Sequence, residues 1–224
     1  MKSMTGKRVG TNVMSQNKNI LDIHSTPIYV TNIGEFDKTS MKEAVKTLVS
    51  QSNFDKNDPS YFGDIYNHIK QPHELDCFST LNKFISKSAR KYVNKIGTEQ
   101  MLDVYVQKSW AVELSTNGIV KPHRHINAHL SCVFYIQTFE DYGGELVLDS
   151  GVNLLDFLPI DNKNRTYTFK PNEGDLIIFP SNLLHYVNIS RSLGKRYCVS
   201  YDLMVTTEDR VENKTLDPKF WKKI

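Results

Sequence analysis

The sequence predicts an α+β fold, mainly β, in which N-terminal helices buttress a jelly roll. Three observations lead there. Apolar residues follow helical spacing only up to Gly97, and short alternating runs separated by turn signals occupy most of the chain beyond it. Many short strands at such spacing make a closed or sandwiched antiparallel sheet. Helices first and strands afterwards is the α+β order, with helices covering one face of the sheet.

Residues 1–20 are polar and without periodicity, and read as a disordered tail. The β-branched run Thr26-Pro-Ile-Tyr-Val-Thr31 is a first strand. Asp37 to Ser50 has helical spacing through Met41, Ala44, Val45, Leu48 and Val49, with an Asp or Ser cap ahead of it. Residues 51–72, rich in Asn, Asp, Pro, Gly and Tyr, form an irregular connection. A longer helix is expected from about His73 to Ile96, with Leu75, Phe78, Leu81, Phe84, Ile85, Ala89, Tyr92 and Val93 on one face and Gly97 as its stop. From Met101 to Leu114 the pattern alternates as in a half-buried strand. Further strands are read at Leu130–Thr138, Glu145–Leu148, Arg165–Phe169, Asp175–Phe179, His185–Ile189 and Arg196–Met204. Asn-Gly, Gly-Gly and Pro-Asn-Glu-Gly turns punctuate them. The expected organisation is one domain over 21–224, with helical support at 36–97 and a barrel core at 100–205.

Composition narrows the class. At 224 residues, 39% hydrophobic and 24% charged, the chain suits an ordinary globular domain. A net charge of +3 with scattered basic residues argues against nucleic acid as a partner, and the basic ends read as solvated tails. Cys77, Cys132 and Cys198 are an odd number without CxxC spacing, and Cys132 and Cys198, inside apolar strand-like runs, are expected to be reduced, buried thiols. No apolar run is long enough to cross a bilayer, and the N-terminus lacks the apolar stretch of a secretory signal; a cytoplasmic location is expected.

The chemistry concentrates in a few residues. His123 and His125 are two apart, so a strand end presents both to one face. His185 follows the apolar run ending at Phe179-Pro180 and is the natural third metal ligand. Three imidazoles suit Fe, Zn, Cu or Ni and leave coordination positions for substrate or water. His129 and Asn127 are weaker rivals, the first better placed for a surface or supporting role. Arg196 opens a strand after Gly194, and a permanent charge inside a barrel calls for an anion held in bidentate fashion. Tyr135, near the end of another strand, could add a hydroxyl to the same anion.

The order His-x-His, Gly-Gly-Glu-Leu-x-Leu (143–148), Gly-Asp-Leu-Ile-Ile-Phe-Pro-Ser (174–181), His185 and Gly-x-Arg (194–196) resembles the Fe(II)- and 2-oxoglutarate-dependent dioxygenases. The stretch His123-x-His125-x-Asn127-x-x-Leu-Ser-x-Val-x-Tyr-Ile136 is most similar to a branch related to the prolyl-hydroxylase-like oxygenases. The resemblance covers roughly 100–205 and implies a double-stranded β-helix. It implies Fe(II), O2 and the co-substrate 2-oxoglutarate, and oxidation of a small-molecule or peptide substrate with release of succinate and CO2. By the same resemblance His123 and His185 are the histidine ligands, and Arg196 with Tyr135 meets the distal carboxylate. His125 stands where most of the superfamily has a carboxylate, and Cys198 where it often has Ser or Thr. Two rival classes are a cupin-like metal-binding barrel without oxygenase activity and a degenerate barrel serving as an interaction module. The cupin pattern lacks the Gly-x-Arg anchor and has an acidic residue soon after His-x-His, where this chain has Ala128, His129 and Leu130.

Overall fold

A computed structural model of the chain describes residues 26–51, 71–97, 102–139, 143–151 and 166–207. Within them the architecture is mainly β, with two helices packed on one of two antiparallel sheets. Strand β1 spans Tyr29–Asn32 and helix α1 spans Lys38–Ser50; helix α2 spans Ser79–Ile96. Strands β2 (Leu102–Leu114), β3 (Val120–His123), β4 (Leu130–Gln137) and β5 (Leu146–Asp149) follow. The chain then forms β6 (Thr166–Phe169), β7 (Asp175–Pro180), β8 (Leu184–Val187) and β9 (Arg196–Thr207). One sheet has the order β1-β7-β4-β9-β2 and the other β3-β8-β5-β6. This is the jelly-roll arrangement expected from the sequence, with non-consecutive strands as neighbours.

Alternation along the strands explains why both faces of the five-stranded sheet are covered. Leu130, Cys132, Phe134 and Ile136 of β4, with Tyr197, Val199, Tyr201 and Leu203 of β9, pack against Met41 and Val45 of α1 and Leu81, Ile85, Ala89 and Tyr92 of α2. The intervening residues turn into the barrel, where Tyr135 and Cys198 join Trp110, Val112, Leu146, Phe179 and Val187. A sheet buried on both faces reads in sequence as nearly unbroken apolar runs, which is what Leu130–Ile136 and Asp175–Phe179 are.

Helix α1 begins as the sequence predicts: the Asp37 carboxylate accepts from the Ser40 N–H at 3.0 Å. Helix α2 begins later than predicted. Two short 3-10 turns, Pro72–Glu74 and Asp76–Phe78, precede it, separated by Leu75 in an extended conformation (φ −91°, ψ 136°). Hydrogen bonds to β2 hold this stretch out of the helical path: the His73 N–H donates to Ser109 Oγ (3.0 Å), and the Ser109 N–H donates to Gln71 Oε1 (2.7 Å). Strand β3 has no counterpart among the sequence-derived runs, because Lys121 and Pro122 interrupt its apolar alternation. The expected tail at 1–20 and most of the 51–72 connection lie outside the described residues. Cys77, Cys132 and Cys198 are free thiols, the last two buried as expected. No described helix is long and apolar enough to cross a membrane.

Candidate metal centre and anion pocket

Strand pairing brings the histidines together. His123, the last residue of β3, lies directly opposite His185 of β8, and their ring centroids are 4.2 Å apart. His125 follows the end of β3, where its backbone N–H donates to the Ser181 carbonyl at 2.8 Å. Its ring lies 5.1 Å from that of His123 and 5.0 Å from that of His185. One ligand nitrogen from each of the three falls within 4.8 Å of the others.

The second ring nitrogens are all occupied by the protein. Nδ1 of His123 is 2.8 Å from the Lys121 carbonyl, and Nδ1 of His185 is 2.8 Å from the Leu183 carbonyl. A carbonyl only accepts, so each Nδ1 carries the proton and each Nε2 carries the lone pair a metal requires. Nδ1 of His125 has a charged partner, Asp202 Oδ1 at 2.6 Å, with Ser131 Oγ at 3.0 Å. Burial lowers the pKa of His185 to about 3, the positive charge His123 would carry adding to the effect. Burial lowers that of His123 as well. His123 and His185 therefore present neutral imidazoles at physiological pH.

Arg196, the first residue of β9, is buried, 2% exposed. It donates to the Gly144 carbonyl, and its guanidinium carbon sits 5.3 Å from the centre of the Tyr135 ring. Nε of Arg196 has no hydrogen-bond partner, and no ion pair joins the guanidinium to a carboxylate among the described residues. A buried, permanently charged fork with an unsatisfied donor is costly unless an anion meets it. The three histidines, Arg196, Tyr135 and Cys198 line one cavity, whose walls are mostly apolar, Trp110 and Phe179 among them.

Sequence reasoning missed Asp202, Ser131 and Trp110. Asp202 is 1% exposed; burial favours its neutral form, but hydrogen bonds from His125, Ser131 and Lys108 and the charge on His125 outweigh that and hold its carboxyl below the usual carboxylate range. A signal was present: Arg196, Cys198, Ser200 and Asp202 recur at every second position of one strand, so an acid shares the interior face of the predicted anion anchor. Of the two rival ligands, His129 is exposed and its Nδ1 accepts from the Val205 N–H (3.1 Å), and the Asn127 backbone carbonyl accepts from Gln107 (2.7 Å). His129 is not part of the three-histidine cluster.

Residues 108–202 match the family described as "Putative 2OG-Fe(II) oxygenase", a segment that holds all three histidines and Arg196. Among solved structures, a prolyl hydroxylase from Trichoplax adhaerens, in complex with a hypoxia inducible factor peptide fragment, superimposes with a TM-score of 0.54 at 16% identity. That match covers 83% of this chain and 86% of the hydroxylase. HygX from Streptomyces hygroscopicus, with nickel, 2-oxoglutarate and hygromycin B bound, matches with a TM-score of 0.50 at 11% identity, over 80% of this chain and 83% of HygX. A 2OG-Fe(II) oxygenase-family oxidoreductase from Burkholderia pseudomallei matches less fully, with a TM-score of 0.43 at 16% identity. The chain spans 57% of that protein's length, with 58% of its own residues. No curated protein sequence matches the chain.

Proposed function

We propose, on the premise that residues 108–202 form the barrel of a 2OG-Fe(II) oxygenase, that this chain binds Fe(II) through His123, His125 and His185 and seats 2-oxoglutarate against Arg196. It uses O2 to hydroxylate an unidentified small-molecule or peptide substrate, releasing succinate and CO2. In this reading residues 21–224 act as one domain. The observation that carries it is a single cavity joining three converging imidazoles to a buried guanidinium whose Nε has no hydrogen-bond partner among the described residues.

The donor set fits the groups this chemistry needs. Three imidazole nitrogens on one side of a cavity leave coordination positions open for a chelating keto acid and oxygen. When bound, Fe(II) and 2-oxoglutarate supply an oxidant able to insert one oxygen atom into a substrate C–H bond, the other oxygen leaving in succinate. The protein's part is placement. The Lys121 and Leu183 carbonyls and the Asp202 carboxylate fix the three imidazoles in one tautomer. Arg196 would pair with the far carboxylate of the co-substrate, and the Tyr135 ring supports the guanidinium from one side. Trp110, Val112, Leu146, Phe179 and Val187 keep bulk water from that carboxylate, which strengthens the pairing.

Under anaerobic conditions, Fe(II) and 2-oxoglutarate added together should give the weak visible charge-transfer band of the chelate. Arg196→Ala should retain stoichiometric iron and bind 2-oxoglutarate at least about 30-fold more weakly, since truncating one side of a buried charge pair costs about 2 kcal/mol or more. Stoichiometric zinc with no such band in folded protein would instead support a cupin-like barrel.

A further inference from the structure

We propose that Asp202 is a positioning residue that supplies, through His125, the negative charge a carboxylate ligand would otherwise bring to the metal. The inference rests on the three-histidine site proposed above and concerns how a set of neutral ligands is tuned.

The histidines differ in what holds them. His123 and His185 donate to the neutral carbonyls of Lys121 and Leu183, each two residues earlier in the chain. His125 is held by a carboxylate, which comes from a residue 77 positions away. Strand register builds the contact: Asp202 of β9 is flanked by Ser131 of β4 on one side and Lys108 of β2 on the other. The β2 register shifts between Val106 and Lys108, an irregularity that leaves Lys108 opposite Asp202. Asp202 Oδ1 accepts from His125 Nδ1 (2.6 Å) and Ser131 Oγ (2.7 Å), and Oδ2 lies 3.1 Å from Lys108 Nζ.

Orientation alone does not account for a charge here. The backbone of His125 is already fixed by the Ser181 carbonyl, and its ring packs 5.4 Å from Trp110. An asparagine oxygen could accept the same hydrogen bond without the desolvation cost of a carboxylate that is 1% exposed. A carboxylate makes the imidazole it holds a more basic, more electron-rich ligand. Lys108, which is partly exposed, draws on the other oxygen and limits how much of that charge reaches the ring.

The test compares the wild-type chain with D202N, H125D and H125D/D202N. Fe(II) affinity is measured anaerobically by chelator competition, and the Fe(II)–2-oxoglutarate band is recorded by absorption, with near-ultraviolet circular dichroism as a check of folding. D202N should bind Fe(II) about 10- to 100-fold more weakly. Its charge-transfer band should move to shorter wavelength, because a less electron-rich metal gives up charge less readily. H125D sets two carboxylates side by side and should bind poorly, whereas H125D/D202N, with one carboxylate as direct ligand, should regain affinity over H125D. A D202N chain with wild-type affinity and an unshifted band overturns the role of Asp202, as do H125D and D202N losses that simply add. Failure of the wild-type chain to bind Fe(II) would overturn the metal-site reading itself.

Discussion

Cys198 is the side chain at which a single atom is expected to alter co-substrate binding. It shares the interior face of β9 with Arg196, lines the same cavity, and is 3% exposed. Burial raises the pKa of its thiol, so it stays protonated and is a weak hydrogen-bond donor. A hydroxyl there would be a stronger donor beside the guanidinium that the proposed 2-oxoglutarate carboxylate meets. Cys198→Ser should therefore tighten 2-oxoglutarate binding roughly 2- to 10-fold, the range of one net hydrogen bond. Metal affinity should not move, since the thiol is outside the histidine cluster. Calorimetric titration of 2-oxoglutarate into the Fe(II)-loaded chain under nitrogen separates the two, and weaker binding by the serine variant would count against the anion pocket.

Among the elements, the turn entering β5 sets the height of the Arg196 anchor. Gly143 has φ +89° and bridges to Ser190, and Gly144, whose carbonyl accepts from Arg196, has φ +74°. A Cβ on Gly143 would lie 2.1 Å from the Ile189 carbonyl oxygen, a clash with backbone that no rotamer change relieves. Gly143→Ala should thus cost on the order of 1–3 kcal/mol in urea unfolding and weaken 2-oxoglutarate binding through the displaced Gly144 carbonyl. Unchanged stability would mean that the turn can be rebuilt freely. The Gly-Gly pair was legible in the sequence as a turn and as part of the motif order; its link to Arg196 was not, because 52 residues separate the two. The same division holds elsewhere. The helix of Lys38–Ser50, the strand runs and the His123/His125 pair follow from local periodicity and spacing, and His185 is reached through the order of the motifs. The start of α2 at Ser79 and the Asp202–His125 contact depend on which strand lies beside which, and that register is decided by long-range packing.

At the scale of the whole molecule, the five-stranded sheet is a partition. Its barrel face lines the candidate site, and its other face is held by α1 and α2 through a separate apolar cluster. Tyr92 of α2 belongs to that second cluster; it is 2% exposed, and its hydroxyl donates to the Pro27 carbonyl at 2.6 Å, fastening the helix to the chain just before β1. Burial raises its pKa to about 12. In the unfolded chain the same phenol titrates near 10. Between those values the unfolded state has lost the proton that the folded state keeps, so alkali favours unfolding. The contribution of Tyr92 is complete below about pH 10 and disappears as the pH rises through about 12. Tyr135 and Tyr201 are shifted upward by burial as well and steepen the same limb. Tyr92→Phe keeps the ring and removes the titration. At pH 7 it should lose about 1 kcal/mol or less, the net value of one hydrogen bond to a carbonyl that water can reach. Its stability should then fall less steeply than that of the wild type from pH 10 to 12. Urea unfolding at intervals from pH 7 to 12 measures both, and parallel curves for the two proteins would show that Tyr92 takes no part in the alkaline transition.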